Sequence, residues 1–183
     1  MRRGAQQSQV VNNFFSLATI VMVSVVLILY LKYVVKEPQR INSNLVCQLE
    51  LTSTTDKISN EQFLKTGYKL LNDGSYELDG GMIPSLENPV ITKKIDLKQI
   101  NNIFLNTIDI KLTKQKRRFL KIKYELIENE DDSKDNVASL LTSFRVNNKE
   151  VFRMNIDFLK YDLIEIEKRV QCTMEAFKHN AKI

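Results

Sequence analysis

The sequence is poor in the residues from which most catalytic and metal sites are built. It has no tryptophan, one histidine and two cysteines among 183 residues. One histidine and two cysteines do not supply the four ligands of a conventional structural zinc site. Five glycines and three prolines exclude a collagen-like or linker-dominated chain, and they leave few positions for a glycine-rich phosphate loop. We therefore expect a protein that is not an enzyme and that has no metal and no cofactor.

The positive charge is confined to the start of the chain. The net charge is +5, from 27 basic and 22 acidic residues. Residues 1–36 contain Arg2, Arg3, Lys32 and Lys36 and no acidic residue, so residues 37–183 are almost neutral. This distribution argues against direct nucleic-acid binding and favours a role of the basic residues in membrane orientation.

One long apolar segment predicts a membrane anchor. Residues 14–31 carry no charge, and Tyr30 and Tyr33 lie where an aromatic belt is expected. We predict a cytoplasmic N-terminus at residues 1–13 and a single transmembrane helix at residues 14–35. A cleaved signal peptide is the alternative, but the apolar segment is longer than usual and no small-residue cleavage site follows it.

The two cysteines bear on the cellular compartment. Cys47 and Cys172 lie near the two ends of the remaining chain, each in a strand-like stretch, and we predict that they form a disulfide between a first and a last strand. Two unrelated buried thiols are the alternative, whereas the absence of a C-x-x-C motif argues against a redox-active pair. A disulfide requires an oxidising compartment, which in a bacterium is the periplasm. We therefore expect an inner-membrane, single-pass protein with its C-terminal domain in the periplasm.

Alternating apolar residues dominate the chain after the anchor. We predict a linker at residues 36–44, a β-rich domain at residues 45–175 and a flexible tail at residues 176–183. The predicted strands lie at 45–51, 74–81, 89–97, 108–112, 120–126, 139–146, 150–159 and 162–172. The segment 59–65 is interpreted as either a short helix or an extended stretch.

The turns between these segments suggest an antiparallel meander. Residues 114–117 are predicted to join strands 108–112 and 120–126 in a hairpin, and Asn147 and Asn148 to form the turn of another. The expected fold class is mainly β, with a β-rich α+β domain as the alternative. A sheet with one apolar face must cover it, so we expect a curled sheet or partial barrel, completed by strands of another protein if it does not close.

The densest basic segment extends from Lys111 to Lys123. It resembles a phosphate-binding patch, but its alternation places the charges on the solvent face. We interpret it as a solvated hairpin that protects a sheet edge, with a nucleic-acid or lipid-headgroup site as the alternative.

The layout of the chain resembles a family of small membrane proteins. The features that carry the resemblance are the span at residues 14–31, Cys47, the segment Gly74–Gly80 with Tyr76 and Leu78, and Cys172. They are similar to those of the FidL-like small inner-membrane proteins. More broadly, they resemble the accessory partners of ToxR-like and CadC-like membrane-bound transcription regulators, a class that includes ToxS, TcpH and VtrC.

The resemblance implies a function in signal transduction and virulence regulation. It implies a periplasmic domain that forms a heterodimer with a membrane-bound transcription regulator, stabilises it and shares with it a pocket for a small apolar signal such as a bile salt. No ligand-binding residue is assigned by the resemblance. Two alternatives remain open, a structural subunit of a secretion or pilus assembly platform and a self-contained lipocalin-like carrier.

Overall fold

The computed structural model describes residues 3–33, 39–40, 45–49, 53–57, 61–113, 119–130 and 136–182. The chain forms two compact units, residues 1–37 and residues 38–183. The helices are α1 (Arg3–Tyr33), α2 (Val46–Leu49), α3 (Glu61–Asn72), α4 (Ile91–Lys94), α5 (Leu97–Ile108) and α6 (Leu163–Lys182). The strands are β1 (Gln39–Arg40), β2 (Ser53–Lys57), β3 (Tyr76–Ile83), β4 (Leu120–Glu128), β5 (Ala138–Val146) and β6 (Lys149–Phe158).

The first unit contains the apolar helix α1. Its segment Asn13–Tyr30 has a mean hydropathy of 2.2, and all its side chains are exposed. The hydroxyls of Thr19 and Ser24 donate to main-chain carbonyls one turn earlier, so neither hydroxyl is left unpaired in an apolar environment. By length and composition α1 is able to cross a bilayer, in agreement with the predicted span, while residues 34 and 35 lie outside the described residues.

The second unit is built on one open sheet with the strand order β1-β2-β6-β5-β4-β3. All neighbouring strands are antiparallel except β3 and β4, which are parallel. Parallel neighbours need a crossover connection, and α4 and α5 provide it. The domain is therefore α+β, the alternative fold class, and the sheet is neither a closed barrel nor, at β3 and β4, a meander.

One face of the sheet is covered by helices α3, α5 and α6. The Phe177 ring of α6 stacks on the Phe144 ring of β5 with centroids 4.1 Å apart, and the Phe152 ring of β6 meets both edge-on. Helix α3 packs against the sheet at Gly67, where an added β-carbon would lie in van der Waals contact, 3.4 Å from the side chains of Leu120 and Val146. These contacts form the core, and the opposite face of the sheet, here called the outer face, carries partly exposed side chains.

The structure of the end of the chain differs from the one that the sequence predicted. The predicted last strand at 162–172 and flexible tail at 176–183 were wrong, since α6 continues to Lys182 and buries Phe177 and Ala181. The apolar residues of this segment recur every three or four positions, at Ile166, Val170, Met174, Phe177 and Ala181, which is the spacing of one helix face. His179, expected in the tail, is exposed on α6, and residue 183 lies outside the described residues.

Two further predicted strands, in the middle of the chain, are not strands in the structure. The predicted strand at 89–97 contains α4 and the first residue of α5. The predicted strand at 108–112 starts at the last residue of α5, and the residues that follow are not in a strand. Asp96 and Gln99 form a capping box at the start of α5, and Ile100, Phe104 and Ile108 repeat at intervals of four. The predicted hairpin between 108–112 and 120–126 was therefore wrong, because β4 pairs with β3 and β5.

Of the remaining predictions, one was confirmed, one was wrong in part, and some fall partly outside the described residues. Asn147 and Asn148 have φ of 52° and 63° and form the predicted turn between β5 and β6. The stretch 59–65 contains the start of α3 rather than a strand. The predicted first strand at 45–51 was wrong for residues 46–49, which form α2, and residues 50–51 lie outside the described part. Of the linker 36–44 only β1 is described.

Candidate functional site: an open sheet edge

A disulfide joins the two ends of the folded unit, as the sequence predicted. It links Cys47 of α2 to Cys172 of α6, with α-carbons 5.8 Å apart. The cysteines thus belong to two helices rather than to a first and a last strand. Gln48 also donates from Nε2 to Thr55 Oγ1 of β2 at 2.7 Å, so α2 is attached to both the sheet and the last helix. We assign the disulfide a structural role, because both cysteines are bonded and no free thiol remains.

A polar pocket lies where the parallel strands β3 and β4 end. It has a volume of about 280 Å³ and surrounds the Glu128 side chain, which is 6% exposed. Glu128 Oε1 accepts hydrogen bonds from the amides of Val90 and Ile91 at 3.0 and 3.1 Å and from the Tyr161 hydroxyl at 2.6 Å. Oε2 accepts from the Ser85 amide at 2.9 Å. The carboxylate therefore joins the crossover loop to the end of β4.

The hydrogen bonds to Glu128 decide its ionisation. Burial raises the pKa of this carboxyl, but the bonds from Tyr161 and from three main-chain amides outweigh it, and the pKa lies below the ordinary glutamate value. Burial and the neighbouring carboxylate raise the pKa of the Tyr161 hydroxyl. Glu128 thus stays charged and fully paired, which suits a structural role better than proton transfer. Among the described residues no three histidine, cysteine or acidic side chains are placed to hold a metal ion.

The exposed edge of β3 is the most distinctive surface of the sheet. This eight-residue strand pairs with β4 along its whole length, and within the described residues no strand pairs with its other side. The amide of Leu120 donates to the carbonyl of Ser75, so that carbonyl faces β4, whereas the Ser75 amide donates to the Leu70 carbonyl. Successive residues of a strand direct their main-chain groups to opposite sides. Those of Tyr76, Leu78, Gly80 and Met82 therefore point to the open edge.

A loop segment lies beside the start of β3, and the open part of the edge begins after it. The Gly74 carbonyl, on the edge side, accepts a hydrogen bond from the Thr113 amide at 3.0 Å. The Tyr76 hydroxyl donates to the Ile110 carbonyl at 2.8 Å. Residues 110–113 thus lie beside the start of β3, and no main-chain partner appears further along the edge in the part of the chain that the structure describes.

Gly80 positions β3 on the helix layer. A β-carbon at Gly80 would overlap the Tyr124 phenol, which passes beneath the strand. The phenol stacks on the Phe104 ring, 4.4 Å between centroids, and its hydroxyl donates to Asn101 Oδ1 at 2.7 Å. Burial raises the pKa of Tyr124. Glycine is needed at position 80 so that one tyrosine of β4 can join β3 to α5.

The outer face of β3 is acidic. Glu77 and Asp79 are the only charged residues of the strand. Asp79 forms an ion pair with Lys121 of β4 at 2.7 Å, and its side chain remains 43% exposed. The lysine hydrogen bond holds the pKa of Asp79 below its usual value. On the neighbouring strand, Lys123 is paired with Glu125 at 2.7 Å.

The basic segment 111–123 was interpreted only partly correctly. Lys121 and Lys123 lie on the outer face as expected, but β4 is an inner strand and does not protect an edge. Lys111 is exposed in the loop after α5, and residues 114–118 lie outside the described residues. The sequence predicted β3 as a strand, but not its position at an edge, because the pairing partner of a strand cannot be deduced from its alternation.

Comparison with known proteins adds no assignment to this geometry: no family model matches the sequence, and no curated protein matches it.

Proposed function

We propose that this protein is a membrane-anchored binding protein whose folded domain associates with another protein through the open edge of β3. The observation that carries the proposal is an eight-residue strand with one unpaired side in the described domain, in a chain that begins with a helix apolar enough to span a bilayer. A strand of a partner would satisfy the edge-facing main-chain groups of β3 by hydrogen bonding and extend the sheet.

The anchor supports this proposal on physical grounds. Confining two proteins to the same membrane raises their effective concentration, so a contact of modest area is sufficient for stable association. The resemblance to accessory proteins makes a ToxR-like or CadC-like transcription regulator in the bacterial inner membrane the proposed partner. In this proposal the domain lies in the periplasm, the N-terminus is cytoplasmic, and the function is co-regulation by stabilising the regulator.

The shared pocket for a small apolar signal, such as a bile salt, belongs to the same proposal as a property of the complex. The buried aromatic and aliphatic side chains of the described domain form one core cluster, and the proposal places the apolar signal at the contact with the partner. A lipocalin-like carrier needs a closed barrel, and the sheet is open. We therefore do not propose the carrier function.

Site-specific photo-crosslinking in intact cells tests the proposed function. A photoreactive amino acid replaces Glu77, which is exposed on β3, and in a matched control it replaces Glu167, which is exposed on α6. We expect a crosslink from position 77, and not from 167, to a single-pass membrane protein with a cytoplasmic DNA-binding domain. A crosslink to a secretion or pilus component would support the structural-subunit alternative. No crosslink from position 77 would contradict binding at the edge.

A further inference from the structure

The chain enters the sheet of the folded unit from one defined end. β1 and β6 are both antiparallel to β2, so they run in the same direction. β1 therefore begins at the end of the sheet where β6 begins, which is also the end with the turn at Asn147 and Asn148. We call this the entry end. From Tyr33, the last residue of α1, to Gln39 the chain advances six residues, which reach at most about 22 Å when fully extended. With α1 in a bilayer, the entry end is thus tethered close to the membrane surface.

Helix α3 lies at the entry end and carries exposed lysines. A β-carbon at Gly67 would lie 3.4 Å from the side chains of Leu120, the first residue of β4, and Val146, the last residue of β5. Both strand positions belong to the entry end, so the middle of α3 packs there. Lys65 and Lys69 of this helix are exposed to solvent. The helix therefore presents positive charge at the end of the sheet that is tethered to the membrane anchor.

The end of α6 and the start of β6 add further lysines at the same place. Lys182 Nζ lies 5.9 Å from the centroid of the Tyr68 ring of α3. Lys178 precedes Lys182 by one turn of α6, so the two lysines share one side of that helix. Lys149 Nζ of β6 lies 4.7 Å from the centroid of the Phe63 ring, which is also on α3. These contacts bring lysines of three elements together around α3.

The positive charge of this cluster is not neutralised within the part of the chain that the structure describes. Five lysines of the cluster form no ion pair there: Lys65, Lys69, Lys149, Lys178 and Lys182. The carboxylates of the same segments are fewer, namely Glu61, Asp73 and Glu175. The carboxylate of Glu150, the neighbour of Lys149, is already paired with Arg153. The cluster is therefore complementary to an anionic surface.

Exposed apolar side chains lie at the same end. Leu112 is 57% exposed, and Phe119 is 39% exposed. Leu112 is placed there by its neighbour Thr113, whose amide donates to the Gly74 carbonyl just before β3, and Phe119 directly precedes β4. Lysines beside exposed apolar residues are the combination by which peripheral helices bind in the headgroup region of a bilayer.

We infer that the entry end of the folded domain binds anionic lipid headgroups of the membrane that holds α1, with the lysines around α3 on the lipid phosphates and with Leu112 and Phe119 at the headgroup boundary. The short tether favours lipid over an acidic protein as the anionic partner, because it keeps this end at the membrane surface. The inference goes beyond the proposed function and does not depend on a partner of β3. In this orientation β3 begins near the membrane and leads away from it, so its open edge stays accessible to another protein.

Photo-crosslinking to lipid tests the inference with the full-length protein in nanodiscs. A photoreactive amino acid replaces Gln62, which is exposed on the same side of α3 as Lys65 and Lys69, and in a matched control it replaces Glu167, which is exposed near the start of α6. The nanodiscs contain either phosphatidylcholine alone or phosphatidylcholine mixed with anionic phosphatidylglycerol. Mass spectrometry measures the yield of lipid adducts. We expect a yield from position 62 that is at least about threefold higher with the anionic lipid, weakens with salt and is absent from position 167.

A charge-reversed variant and a matched control locate the lipid contact. The double variant Lys65→Glu and Lys69→Glu should lower the adduct yield from position 62 at least about threefold in anionic nanodiscs, because each lysine near an anionic surface strengthens binding. Both lysines are exposed, so thermal unfolding should be unchanged. The double variant Lys93→Glu and Lys168→Glu makes the same change in net charge at exposed positions of α4 and α6 and should leave the yield unchanged.

Three results would overturn the inference. Equal yields from position 62 in the two kinds of nanodisc would show that the tether, and not the lipid charge, brings this end to the membrane. No adduct from position 62, or the same yield from positions 62 and 167, would contradict an orientation with the entry end on the bilayer. An unchanged yield in the variant of Lys65 and Lys69 would contradict the role of these lysines. None of these results bears on the crosslink from position 77, which tests the proposed function separately.

Discussion

The Tyr124 phenol occupies the space in which a side chain at Gly80 would lie, while its hydroxyl donates to Asn101 Oδ1 at 2.7 Å. One residue of β4 thus fixes the neighbouring edge strand and the helix that packs beneath it. Because the two glycines of β3 are adjacent, their environments provide a direct comparison. Gly80 is covered by the phenol, whereas an added β-carbon at Gly81 would make only ordinary van der Waals contacts, the nearest with Glu125 Cγ at 3.7 Å.

Gly80→Ala is expected to destabilise the folded domain by about 1–3 kcal/mol, the usual cost of overpacking a filled core. The physical reason is the overlap of the new β-carbon with the Tyr124 ring. Gly81→Ala is the matched control and should leave the free energy of unfolding unchanged or slightly higher. Chemical denaturation of both variants provides the measurement, and equal stability of the two would contradict the account of Gly80.

Glu128→Gln is expected to destabilise the domain by about 1–3 kcal/mol, since four hydrogen bonds to a buried carboxylate become bonds to a neutral amide that also has two donors to satisfy. Amide hydrogen exchange should accelerate at Ser85, Val90 and Ile91. Glu87→Gln is the matched control, because Glu87 is an exposed carboxylate of the same loop. Unchanged exchange in the Glu128 variant would show that the carboxylate does not hold the loop.

The same carboxylate predicts a pH dependence. Its pKa in the folded protein is lower than the ordinary value of 4.5, so its contribution to stability is fully present above that value. The contribution is lost as the pH falls through the lowered pKa of the folded state. Stability of the wild type should therefore fall more steeply than that of Glu128→Gln below about pH 4.5. Parallel acid unfolding curves would contradict this linkage.

Reduction of the Cys47–Cys172 disulfide is expected to destabilise the domain by about 2–5 kcal/mol, because the bond closes a loop across 125 residues. The double variant Cys47→Ser and Cys172→Ser should unfold at the same lower temperature as the reduced wild type. Alkylation of free thiols in intact cells, followed by mass spectrometry, measures the oxidation state. Two alkylated cysteines would contradict both the disulfide and the proposed periplasmic location.

How far the sequence predicts this fold depends on the kind of interaction involved. The apolar span and the turn at Asn147 and Asn148 follow from local composition and were predicted. The pairing of Cys47 with Cys172 is a long-range contact, but it was predicted because the chain has only two cysteines. The last helix was misinterpreted because Ile164 and Ile166, near its start, give an apparent alternation, whereas the spacing from Ile166 to Ala181 is helical. The spacing of apolar residues should therefore be assessed over the whole segment before a strand or a helix is assigned.

The open edge could not be predicted, because it depends on long-range pairing. β3 and β4 are separated in sequence by α4 and α5, and only the crossover makes them parallel neighbours and leaves β3 at the end of the sheet. The two glycines were visible in the sequence. Their different roles became evident only when Tyr124 was placed beneath one of them.

The central claim is that a partner strand pairs with β3, and amide hydrogen exchange at single-residue resolution tests it most directly. The full-length protein is measured in lipid nanodiscs, alone and bound to the partner identified by crosslinking. The account predicts that exchange slows on binding at the edge-facing amides of Leu78, Gly80 and Met82. Protection elsewhere in the domain, with unchanged exchange at these three amides, would contradict it.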